Sequence, residues 1–238
     1  MTITESPNRR MPFPAYAFGF AAMHDAMRRD ARRLVAALDA DSSPSDTVTS
    51  DVRALARWFD RFKAVIEHHH HCEDDIVWPS LESIMSDRDC GAEGTALLLA
   101  RQALLDDHQD LDAAMTAVRT SLHEAWTTID RLDAARRFAV LLDEHLAREE
   151  AALFPFLTAH VSEEEFEVIE QAVVEATSLG AMTFTVPWIV DEAPADLCAK
   201  VRDDLPTPIR LANRWVLQPR YRRLVAAATG VRVPRAHG

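Results

Sequence analysis

Two copies of one short pattern constrain this chain more than anything else in it. His69-x-x-x-Glu73 recurs as His145-x-x-x-Glu149, at an offset of 76 residues. On a helix that spacing sets an imidazole and a carboxylate on one face, one turn apart. The likeness runs on past the pair. Val77, Trp78, Pro79 and Leu81 stand in register with Leu153, Phe154, Pro155 and Leu157. Two such elements predict two halves of a helical fold that close on one site.

The surrounding pattern agrees with helices. Phe20, His24, Met27, Ala31, Leu34 and Leu38 step by fours and threes, as an inward stripe should over a first helix from Tyr16 to Ala40. Asp41 to Asp46 then forms a polar turn. Leu55, Phe59, Phe62, Ile66, His69, Glu73, Ile76 and Ser80 continue the spacing in a second helix, which Pro79 kinks or brings to its last turns. Leu104, His108, Leu111, Met115, Val118 and Leu122 mark a third. Phe138, Leu142, His145, Glu149, Ala152 and Phe156 mark a fourth, from Thr128 to Ala159. Ser162 and Glu165 make a capping box that opens a fifth helix to about Ser178. Beyond Gly180 the chain is apolar and Pro-rich, then basic and helical from Pro208 to Thr229. Only six glycines interrupt 238 residues. The expectation is an all-α protein: an antiparallel four-helix bundle over residues 1–160, with a C-terminal helical extension, 161–238, packed on it.

On these stripes His24, His69, Glu73, His108, His145 and Glu149 all face the bundle axis. One core histidine is ordinarily a hydrogen-bonded structural group. Two carboxylates and four imidazoles together are another matter. Each buried carboxylate costs several kcal/mol unless it is paired or bound to metal. Arg101 is the one nearby cation on the inward faces. A metal centre satisfies all six groups. Four nitrogens and two bridging carboxylates suit two ions that share an oxide or hydroxide, with two coordination positions left open. Nitrogen and carboxylate donors without thiolate favour iron over manganese or zinc. Cys72 lies about 100° round the helix from Glu73, off the ligand face.

The set His24, His69-x-x-x-Glu73, His108 and His145-x-x-x-Glu149 with its trailing Leu-Phe-Pro resembles the hemerythrin-like HHE cation-binding family, over roughly residues 15–160. The resemblance implies two non-haem iron ions that meet O₂, hydrogen peroxide or nitric oxide. Oxygen carriers of this kind place a His-x-x-x-His pair on the third helix. Here Asp112 stands four residues after His108, which argues against simple oxygen carriage. Some relatives carry an extra ligand beside the second-helix histidine, which makes His70 a candidate seventh ligand.

Charge and cysteine usage bound the rest. The net charge is −12, yet nine Lys/Arg against two Asp make the stretch from Lys200 onward basic. The acidic body excludes nucleic acid as a main partner. The basic tail is expected to dock on that body, or to meet a redox or protein partner. Three cysteines form no paired framework, which fits a reducing cytoplasm. Arg9-Arg10 and the short apolar run after them are broken by Pro12 and Pro14 and read as mature chain. No apolar run reaches the ~18 residues a membrane span needs. The leading functional expectation is binding or consumption of O₂ or peroxide, including catalase-like peroxide removal. The alternatives are a non-enzymatic iron, O₂ or NO sensor or oxygen-binding protein, and a zinc-filled interaction scaffold.

Overall fold

The computed structural model describes residues 12–41, 51–205 and 207–230. The expected 42–46 turn and the Arg9-Arg10 lead lie outside the described residues. Every described element is helical. A 3₁₀ turn, Ala15–Ala17, leads into α1 (Phe18–Asp41), followed by α2 (Val52–Cys72) and a π-helical turn (Glu73–Val77). Then come α3 (Trp78–Asp87), α4 (Gly91–His123) and α5 (Thr128–His160). The C-terminal part holds α6 (Glu163–Ala176), α7 (Leu179–Ile189), α8 (Ala195–Asp204) and α9 (Thr207–Ala212). A second π-helical turn, Asn213–Leu217, joins α9 to α10 (Gln218–Thr229).

The starts of these helices follow from local chemistry. Asp51 caps α2 by accepting from the Arg53 amide, and Thr127 caps α5 by accepting from Asp130. At α6 both halves of the capping box form between Ser162 and Glu165.

Two apolar clusters fill the interior, and their order along the chain is informative. One holds Met27 and Leu34 of α1, Phe59 and Phe62 of α2, Met115 of α4, and Phe138 and Leu142 of α5. The other holds Ala17 and Ala21, Val77 and Leu81, Leu97 and Leu104, and Leu153 and Phe156. Going forward in sequence, α1 and α4 run from the second cluster to the first, whereas α2 and α5 run from the first to the second. The repeated histidines and glutamates fall in the gap between the clusters on each helix. They form a polar layer between two apolar plugs.

The structure refines three readings of the sequence. The second helix runs on to Asp87 but is not α-helical throughout: the π-helical turn takes an additional residue, and Val77 and Leu81 are buried rather than Ile76 and Ser80. Pro79 is the second residue of α3, directly after the π-helical turn. The apolar stretch after Gly180 is itself a helix, α7, with Pro187 inside it. Burial of Phe184, Pro187 and Trp188 against the core outweighs the proline penalty there.

The C-terminal part packs on α1 and α2 through α7 and α10, and the ion pairs that anchor it come from the segment just ahead of the basic stretch. Arg33 of α1 pairs with Asp191 at 2.9 Å and with Glu192 at 2.9 Å, both just past α7. Trp188, fully buried, donates from Nε1 to Asp30 at 2.8 Å, and Tyr221 of α10 donates to Asp191 at 3.2 Å. Acidic residues between α7 and the basic stretch therefore meet an arginine of α1.

Candidate metal centre

His24 comes from α1, His69 and His70 from the end of α2, Glu73 from the π-helical turn, His108 from α4, and His145 and Glu149 from α5. His24 and His145 are fully buried, and Glu149, Glu73, His70 and His108 are 1, 2, 5 and 8% exposed. Their donor atoms gather in two overlapping groups that could each hold a metal ion. One is His24, His69, Glu73 and Glu149; the other is His70, Glu73, His108 and His145. Within each group the donor atoms lie within 4.8 Å of one another. Glu73 belongs to both.

The distances give each carboxylate two faces. Glu73 Oε1 approaches His69 Nε2 at 2.7 Å while Oε2 lies 3.8 Å from His108 Nε2. Glu149 Oε2 lies 3.5 Å from His24 Nε2 and 3.7 Å from His145 Nε2. The His24 and His69 Nε2 atoms converge to 3.2 Å, and the His70 ring stacks on His108 with centroids 4.1 Å apart. All six residues expected on the axis meet here. His70 joins them, because Glu73 follows it by three positions and His69 by four, so both imidazoles flank one carboxylate.

Behind the donors stands a second ring of acids. His24 Nδ1 donates to Glu150 Oε1 at 3.0 Å, which leaves Nε2 with a free lone pair aimed at the centre. Arg28 holds Glu150 at 2.6 Å and Asp143 at 2.9 Å. Asp74 Oδ2 stands 3.5 Å from His108 Nδ1, and Asp107 Oδ2 stands 3.5 Å from His145 Nδ1, itself held by Arg148. Sequence reasoning missed Glu150, Arg28, Asp74 and Asp107. A signal for two of them was present in the repeat. In both copies an acid directly follows the inward glutamate, Asp74 after Glu73 and Glu150 after Glu149, and each backs a histidine of another helix. Arg101, the cation expected near the centre, instead pairs with Glu82.

Electrostatics show how poorly these groups tolerate one another without a cation. Burial pushes Glu73 up to about 8. Burial, then the Glu73 charge, raise Glu149 well above the carboxylate range. Burial drives His70 far down, and burial with the neighbouring imidazoles takes His145 down to about 2. Burial opposes ionisation of Glu150 as well, but hydrogen bonds from His24 and Arg28 hold it at about 2. Both Glu149 oxygens, both His145 nitrogens and His70 Nε2 are buried without a hydrogen bond. Neutral imidazoles with free lone pairs beside unsatisfied carboxyls are what a metal ion needs. The donor set fits one. Cys72 takes no part, with its sulfur turned to His68 Nε2 at 3.5 Å.

Comparison with known proteins agrees with this geometry. No curated protein and no solved structure matched the chain. The model of the hemerythrin HHE cation-binding domain matches residues 19–157, which span α1 to α5 and all seven donors. The match covers more than half of the chain and stops short of α6. The chain belongs to the hemerythrin HHE cation-binding domain family.

Proposed function

We propose that this chain is a non-haem di-iron protein that binds or reacts with O₂ or hydrogen peroxide, built as an antiparallel four-helix bundle (1–160) carrying a helical extension (161–238). The observation that carries the reading is the pair of donor groups sharing Glu73. The alternating order of the two apolar clusters supports the bundle. Three free cysteines suit a reducing cytoplasm. No described helix is long and apolar enough to cross a membrane.

Iron at this site would supply Lewis acidity and redox equivalents. The chain's own residues do the remaining work. Five imidazoles offer neutral nitrogen, and Glu73 and Glu149 release their protons to the solvent as they take up charge on metal. Glu150 fixes the His24 ring from behind by a hydrogen bond, and Asp74 and Asp107 stand 3.5 Å behind His108 and His145 as nearby negative charge. Phe20 closes the His24 and His69 side, with ring centroids 4.4 and 5.5 Å from theirs. A centre this buried admits small neutral molecules, and O₂ and hydrogen peroxide are both.

The leading activity is peroxide removal. Two peroxides yield two waters and one O₂, so no external reductant is required. Added hydrogen peroxide should release oxygen in the wild type and not in Glu149→Ala. One observation favours a second reading. With His70 counted, three imidazoles would hold metal on the His108 and His145 side and only two on the His24 and His69 side, which would leave the second side the more open. A centre open on one side suits an O₂ or NO sensor. Reversible oxygenation of the reduced protein, with peroxide loss no faster than with free iron, would overturn the peroxide reading and put the sensor first.

A further inference from the structure

Away from the centre, a cleft of about 470 Å³ opens where the C-terminal helices meet α2. Its volume lies within the roughly 300–1,000 Å³ of small-molecule sites. Its apolar wall is Phe184 of α7 with Leu217 and Leu224 from the stretch around α10. Three arginines stand on it: Arg57 and Arg61, one turn apart on α2, and Arg220 across from them on α10. None of the three has an ion-pair partner among the described residues. Asp60, the acid in the same lining, is already committed, to Arg119 at 2.9 Å and to His123 at 3.1 Å. Tyr221 also lines the cleft, but its hydroxyl is turned away to Asp191.

Three unpaired guanidiniums at one cleft are unusual in a chain of net charge −12. Like charges held together cost energy unless an anion joins them. The apolar wall restricts which anion. A bare inorganic ion would leave the half-buried Leu217 and Leu224 and the edge of Phe184 against water, whereas an apolar body would cover them. Guanidinium forks match a carboxylate in shape, with two parallel N–H donors to its two oxygens.

We propose that the cleft between α2, α7 and α10 binds a small amphipathic organic acid, its carboxylate held by Arg57, Arg61 and Arg220 and its apolar body lying on Phe184, Leu217 and Leu224. The site is separate from the metal centre and stands whether or not the di-iron reading does. It also gives the C-terminal helices a role, since the cleft is incomplete without α7 and α10.

The test uses the full, metal-loaded chain and the fluorescent anion 8-anilinonaphthalene-1-sulfonate as reporter. Its emission should rise saturably on binding and fall when decanoate displaces it, while the uncharged decanol should not compete. Arg57→Ala/Arg61→Ala should weaken decanoate by about tenfold or more, the loss of one good charge-assisted contact. Arg136→Ala, an exposed arginine on α5, should bind as wild type. All three residues changed lie at the surface, and circular dichroism with metal content verifies folding. Competition by decanol equal to that by decanoate, or unchanged affinity in the double variant, would overturn the proposal.

Discussion

Glu73 and Glu149 keep their protons in the metal-free chain at pH values where an exposed glutamate has long lost its own. That sets a pH dependence whose sign can be worked out. Between pH 4.5 and about 8 folded Glu73 holds a proton that the unfolded chain releases, so rising pH favours unfolding. Below about 6.5 the unfolded chain binds protons that the five buried imidazoles refuse, so falling pH favours unfolding too. Imidazoles outnumber carboxyls, so they dominate below about 6.5, and above it only the carboxyls act. The apoprotein should therefore be most stable near pH 6.5 and lose stability toward pH 8. Loading with metal should abolish the alkaline loss, as urea titrations of both forms would show. At this scale the six axial donors were legible because they repeat at helical spacing. His70 hid inside a run of four histidines, and Asp74 and Glu150 looked like ordinary solvated acids because an acid beside an acid usually is one.

Helix limits followed from their caps, and α6 shows how well. Ser162 and Glu165 lie three apart and exchange both bonds, at 3.2 and 2.9 Å. Ser162→Ala should cost about 1 kcal/mol by chemical denaturation, and Ser162→Asp should restore most of it. The π-helical turn at Glu73–Val77 was not legible, because nothing in its composition differs from an α-helix. Its cause is tertiary: it lets the ligand-bearing end of α2 and the Val77, Trp78 and Leu81 face serve different neighbours. Helix α7 was missed for a related reason. Pro187 falls inside the apolar run, where a proline disfavours a helix, and only the core that accepts Phe184 and Trp188 makes the helix worthwhile.

Across the whole molecule, a polar layer is held shut by apolar clusters on either side, and the tail completes one of them. Trp188 is the keystone of that closure. Its ring lies 6.3 Å from Phe62, and its Nε1 satisfies Asp30. Trp188→Ala should destabilise the protein by about 3–5 kcal/mol through the cavity left behind. Trp188→Phe should cost less, because Arg29 and Arg33 still pair with Asp30. The layering is implicit in the sequence, where each stripe changes from apolar to His/Glu and back. The anchorage through Arg33 with Asp191 and Glu192 is not, because those two acids follow the apolar run with no spacing that marks them as partners of α1.

The central claim is a paired metal site, and counting metal tests it most directly. Apoprotein reconstituted with ferrous iron, freed of excess and analysed by mass spectrometry beside protein quantified by amino-acid analysis, should hold close to two iron atoms per chain, as the two donor groups require. Glu73→Ala should lose most of both, since Glu73 belongs to each group, whereas His123→Ala should match wild type. One iron or less in the reconstituted wild type, or equal metal in Glu73→Ala and His123→Ala, would contradict the account.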